Sequence, residues 1–206
     1  MLGLNIQKAV IVSTVREDRV DEIMNCLDCI NDEKLYAKLV DSGKKEIREF
    51  DIERYYPFFK RACTTIREVT DKGIIFMENC YYSNLGIPCS TPKLTYNDGT
   101  VEKNLAFAPH GYDLTVDTPL TNFASPFRVD QIFNEHERTQ QRLGVPVLVG
   151  EWGGMVPGAE EYPALEHLIA KFDRNQWSQT YWHYNNELHK GGIGEILARP
   201  YPQAVA

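Results

Sequence analysis

Glu151 is the residue of this sequence best placed to do chemistry. It follows the apolar run Val145-Pro-Val-Leu-Val149 and one glycine. That order puts a carboxylate at the carboxyl end of a strand that reads as buried, where a desolvated element fixes its position. The same placement suits a carboxylate that caps the next helix or meets an arginine. His110 and Tyr112 follow another short apolar run, Leu105-Ala-Phe-Ala108. Two apart on an extended chain, their side chains point to one side, and an imidazole and a phenol beside a carboxylate can hold it ionised and oriented. A polar loop held by Pro109 and Gly111 is the alternative. Trp182 closes Ser178-Gln-Thr-Tyr-Trp182, and offers either a flat apolar face for a sugar ring or a core side chain. Glu78 and Asn79 follow Ile74-Ile-Phe-Met77, with a role either in substrate contact or in holding the loop after them.

Such residues share a site only if their strands all end on one side of a sheet. The pattern supplies this. Residues 53–70 read as a helix closed by Asp71-Lys-Gly73, and 74–77 as a buried parallel strand. Residues 78–104 form a long loop rich in Gly, Pro, Ser and Asn, of a length that is usually functional. After the strand at 105–108 comes an amphipathic helix at 128–143, with Val129, Ile132, Phe133 and Leu143 apolar. The strand 145–149 is expected to be covered on both faces, and a helix at 160–175 precedes the last strand, 178–182. Four strands with helices between at least three of them imply a parallel α/β sheet. In such sheets chemistry sits beyond the carboxyl ends of the strands. Four parallel strands do not close a barrel. Upstream, residues 14–50 read as a charged helical segment with Val15, Ile23, Leu27, Ile30, Leu35 and Leu39 apolar and nothing resembling a catalytic site.

The 206 residues suit one sizeable domain or two small ones. A net charge of −7 without a basic cluster argues against a nucleic-acid partner. No apolar run approaches the roughly 18 residues of a membrane span, and the first residues lack the pattern of a signal peptide. Five cysteines at 26, 29, 63, 80 and 89 form no regular framework. Cys26 and Cys29 lack the further ligands of a zinc site, so no metal is expected. Cys80 and Cys89 flank a loop and could pair in an oxidising compartment. The charges of Arg16-Glu-Asp-Arg19 read as a solvated helix face.

Taken in order, the strand ends resemble the last third of the cellulase-like glycoside hydrolases of family 5, (β/α)8 TIM barrels that hydrolyse β-linked glycans with retention. His110-Gly-Tyr112 is similar to the His-x-Tyr of that family's sixth strand. Val149-Gly-Glu-Trp-Gly153 is similar to the end of the seventh, which carries the nucleophile, and Trp182 to the tryptophan that lines the cleaved subsite from the eighth. The resemblance runs from about residue 52 onward, and makes residues 74–77 the fifth strand. Pro109-His-Gly-Tyr-Asp113 and Arg199-Pro-Tyr-Pro202 look most similar to endoglycoceramidase-like members, which split an oligosaccharide from a lipid.

The resemblance implies a partial barrel, about strands five to eight, in residues 51–206, with 1–50 a helical segment of uncertain status. It implies Glu151 as nucleophile, with His110, Tyr112, Trp182, Glu78 and Asn79 orienting or binding substrate, and no cofactor. The substrate would be an oligosaccharide or glycolipid glycan; members of the family are often secreted. The family's acid/base carboxylate stands in an Asn-Glu-Pro on its fourth strand, which this sequence lacks, so the acid/base is unassigned. A fragment of a longer barrel is the expectation, completed by a complementary half or a second copy. A catalytically inactive carbohydrate-binding fragment and a non-functional remnant are the alternatives.

Overall fold

The computed structural model describes residues 48–116, 124–154 and 163–183. The expected helix at 14–50 lies almost wholly outside them, as do Cys26, Cys29 and Arg199-Pro-Tyr-Pro202.

A π-helical turn, Asp51–Tyr55, leads into α1, Tyr56–Val69. Pro57, which has no N–H to give, stands where the π-helical turn passes into α1. Strand β1 is Ile75–Met77. The segment after it contains a 3-10 turn, Tyr81–Leu85, closed by Gly86 in the left-handed region, and one antiparallel bridge, Thr95 to Val101. Strands β2 (Leu105–Phe107) and β3 (His110–Gly111) follow. Then come α2 (Pro126–Leu143), β4 (Leu148–Gly153), α3 (Pro163–Asn175) and β5 (Ser178–Trp182).

All strand pairs are parallel: β1 with β2, β3 with β4, and β4 with β5. The expected single strand at 105–108 is two, because Pro109 has no N–H to continue the ladder. Its carbonyl still accepts from the Gly150 N–H at 3.0 Å, and Phe107 N–H donates to Pro146 O at 2.9 Å. The β2–β3 run therefore lies between β1 and β4, and the strands stand side by side in chain order.

Helix α2 buries Val129, Ile132, Phe133, His136, Thr139 and Leu143, a stripe at helical spacing that faces the strands. It stops at Gly144, whose φ of 69° suits a residue without Cβ. The aromatic centre joins α2 and α3 to β4 and β5: Phe133 meets Phe172 edge-on at 5.0 Å, and Trp152 meets both Phe172 at 5.0 Å and Tyr181 at 5.2 Å. Truncating Phe172, which is fully buried, would cost about 3–5 kcal/mol through lost transfer energy and an unfilled cavity.

Three expectations need correction. Strand β1 is not covered on both faces: Phe76 is exposed between buried Ile75 and Met77, so the face to which Phe76 points is open among the described residues. The strand expected at 145–149 begins later and runs on to Gly153, so Glu151 lies within β4 and not after it. Nor is that strand buried throughout, since Leu148 and Gly150 are half-buried. Cys80 and Cys89 are free and buried, and burial pushes the Cys89 thiol up to about 11.

Candidate active site

The local course of β4 sets the aim of Glu151. Opposite β5, Val149 pairs with Gln179 and Trp152 with Tyr181, so β4 carries one extra residue between them. This bulge alters the alternation of the strand: Val149 and Trp152, three apart, both enter the core. Gly150 and Glu151 stand between these paired positions. The Thr180 hydroxyl bonds to Val149 O at 3.3 Å and also to Gly150 O, which ties the bulge to β5.

On the other side, His110 of β3 is the direct neighbour of Glu151. The Tyr112 hydroxyl donates to Glu151 Oε2 at 2.9 Å. His110 Nδ1 stands 3.5 Å from the same oxygen, and His110 Nε2 stands 3.7 Å from Glu78 Oε1. A side chain 34% exposed at Glu151 leaves the carboxylate reachable from solvent. The glycine before it is needed for contact, since a Cβ on Gly150 would come within 2.8 Å of His110 Nε2. Gly111 is constrained from the other direction, because a Cβ there would meet the Phe133 ring at 2.5 Å.

The backbone of His110 is held twice. Its N–H donates to Asn84 Oδ1 at 3.3 Å, and its carbonyl lies 2.8 Å from His136 Nε2. A carbonyl only accepts, so the proton of His136 is on Nε2. Burial pushes this imidazole down to about 4, which leaves it neutral near pH 7. Beyond Tyr112, Asp113 receives Arg128 Nε at 3.0 Å on Oδ2 and Arg128 Nη2 at 3.1 Å on Oδ1, together with the N–H groups of Thr115 and Ser125. This buried pair fixes the segment that leaves the site to the first turn of α2.

Of the residues singled out in the sequence, Glu151, His110, Tyr112 and Glu78 come together. Trp182 lies on the adjacent strand beside Gly153, with its side chain 51% exposed, so it is not a core tryptophan. Gly154 N–H donates to its carbonyl at 2.9 Å. Asn79 does not join the group: it is buried, and its backbone carbonyl accepts from the Tyr55 hydroxyl at 3.4 Å. Four supporting residues were not anticipated: His136, Arg128, Asp113 and Thr180. His136 was open to discovery, since it falls on the apolar stripe of α2 seven residues after Val129. Thr180 carries no such signal, because a bulge is not written in the pattern of either strand alone. Among the described residues no group of three or more His, Cys, Asp or Glu could hold a metal ion.

A carboxylate, a phenol and an imidazole converge at the carboxyl ends of a parallel strand array, where parallel α/β folds place their sites. The family model for cellulase, glycosyl hydrolase family 5, matches residues 41–188. The chain belongs to this family. Its fold is accordingly that of a (β/α)8 barrel, of which the described strands form a part.

Solved structures agree on the fold. Endo-glycoceramidase II from Rhodococcus sp., in complex with a five-membered iminocyclitol, superposes with a TM-score of 0.55 at 22% identity, covering 66% of this chain and 32% of that one. The same enzyme as a lactosyl-enzyme intermediate gives 0.53 at 22% identity, over 66% and 31%. An endoglucanase of Pseudomonas stutzeri gives 0.50 at 22% identity, over 66% and 44%. The matched part of this chain thus spans about a third of the length of the endo-glycoceramidase. No curated protein matches the sequence.

Proposed function

We propose that this chain carries the nucleophile half of a retaining β-glycosidase, acting on a β-linked glycan or the glycan of a glycolipid. The observation that carries the reading is the Tyr112 hydroxyl at 2.9 Å from Glu151 Oε2, with His110 Nδ1 at 3.5 Å from the same oxygen. Both contacts fall on Oε2, which leaves Oε1 to attack. In the first step Glu151 forms a bond to the anomeric carbon while the bond to the leaving oxygen breaks. Water then cleaves the glycosyl ester. Trp182, half-exposed beside Gly153, is the surface on which the sugar of the cleaved subsite would rest. Glu78 and Asn79 belong to the same rim in this reading, Asn79 through its loop.

Retaining hydrolysis needs a second carboxyl about 5–5.5 Å from the first. The reading places it outside residues 51–206, which we take as the carboxyl-terminal half of the barrel, about strands five to eight. The short span relative to the endo-glycoceramidase supports this division. A complementary half or a second copy would then supply the acid/base, and without it natural glycosides should turn over about 10²–10⁴-fold more slowly.

The test uses a 2-fluoro glycoside with a dinitrophenyl leaving group, which departs without protonation, followed by intact mass. One glycosyl adduct on the purified chain, absent in Glu151→Ala, is the expected result. No adduct with either gluco- or galacto-configured reagents would sink the reading and favour a binding fragment or remnant.

A further inference from the structure

The ring of His110 stands between two carboxylates, Glu151 within β4 and Glu78 just beyond the end of β1. Nδ1 faces Glu151 Oε2 at 3.5 Å, and Nε2 faces Glu78 Oε1 at 3.7 Å. The backbone of His110 is anchored through Asn84 and His136, and Gly150 leaves room beneath the ring. None of these decides which edge of the imidazole meets Glu151. The last torsion of histidine is broad and roughly two-fold, so a flipped ring fits the same space. Turned the other way, the ring would set its carbon edges against both carboxylates. With Glu78 on the Nε2 side, the orientation that faces Nδ1 to Glu151 is the one in which both nitrogens meet a carboxylate.

We infer that Glu78 is a positioning residue: it holds His110 by Nε2 so that Nδ1 is presented to Glu151. The inference rests on Glu151 being the nucleophile. Glu78 acts here without touching the sugar. Its side chain is 58% exposed, so its replacement disturbs no packed core, and its effect runs through one ring. That makes a double-mutant cycle decisive.

Glu78→Gln, His110→Gln and the double variant are compared in the 206-residue chain. The first readout is the rate constant of Glu151 labelling at saturating 2-fluoro glycoside. The second is the ring-nitrogen NMR signals of His110. Glu78→Gln is expected to slow labelling about two- to five-fold, the scale of one partly exposed charged contact, with the half-saturating reagent concentration unchanged. In the His110→Gln background the same change should cost nothing further. The Nε2 signal of His110 should move in Glu78→Gln. Costs that multiply in the double variant, a raised half-saturating concentration, or an unmoved Nε2 signal would overturn the inference. The two levels separate cleanly. An unlabelled wild-type chain whose Nε2 signal responds to Glu78 would sink the glycosidase reading and leave the positioning contact standing. Labelling with multiplying costs would sink the positioning role alone.

Discussion

Two of the carboxylates in this molecule, Glu102 and Glu151, are held in different ways. Glu102, between the Thr95–Val101 bridge and β2, receives Arg67 Nε at 2.8 Å and Nη2 at 3.1 Å, the Asn104 N–H at 2.8 Å, and the Tyr96 hydroxyl. Both its oxygens are engaged, and the Arg67 guanidinium above all, with Tyr96 and Asn104, pulls it down to about 2. Glu151 has its Tyr112 and His110 contacts on a single oxygen. The first arrangement consumes the group to fasten α1 to the segment before β2. The second orients a group and leaves it something to do. The histidines repeat the contrast: His136 is buried, neutral and tied to a backbone carbonyl, whereas His110 faces two acids at the rim.

The sharpest test of that contrast exchanges the roles of the two acids. Glu151→Gln should abolish covalent labelling while the melting temperature stays within about 2 °C, as expected for a partly exposed residue away from the core. Glu102→Gln should lower the melting temperature by several degrees, by weakening the Arg67 pairing, and leave the labelling rate unchanged. Loss of labelling in the Glu102 variant, read by mass at a temperature where it is folded, would show that the two regions are not independent.

Next in size come changes to how Glu151 is held. Tyr112→Phe removes a hydrogen bond to a charged acceptor and should slow labelling about 10–100-fold. Gly150→Ala puts a methyl against His110 Nε2, so the ring must move; a slowing of about 10–100-fold is expected for a displacement of this kind near reacting atoms. Circular dichroism should be unaltered for both. A Gly150→Ala chain that labels at the wild-type rate would mean that His110 has no part in orienting Glu151.

A further pair of effects concerns stability and pH. His136 is held below its unfolded value, so the unfolded chain binds more protons between pH 6.5 and about 4, and stability falls as pH drops through that window. The contribution is about 3 kcal/mol at one pKa unit per 1.4 kcal/mol. Glu102 is also depressed, from 4.5 to about 2, and its contribution is lost lower, between those values. Urea midpoints across pH should show His136→Gln flattening the upper window alone, with the lower one intact.

The positions of the helices were legible from hydrophobic spacing, and β5 falls where its residues placed it, at Ser178–Trp182. The convergence of His110, Tyr112 and Glu151 was legible for a simple reason: residues that follow short buried runs in a parallel sheet end on one rim. The break at Pro109 was missed although its residue was in plain view, because proline's effect depends on which neighbour needed the missing N–H. The extension of β4 to Gly153 was missed because Gly150 and Glu151 do not look like strand residues; they are held there by Thr180 and Pro109 across two neighbours.

Residue order by itself determined the alternation of helices and strands, the strand ends where chemistry could sit, and membership of a barrel family through motifs at fixed intervals. Those are local properties, set by apolar spacing and by which residue follows which. Tertiary structure alone decided which oxygen of Glu151 is held, that Glu78 and Glu151 share one imidazole, and that Asn79 faces inward. Each depends on contacts between segments that the chain brings together from 24 or more residues apart, and no periodicity within one strand encodes the register of its neighbour.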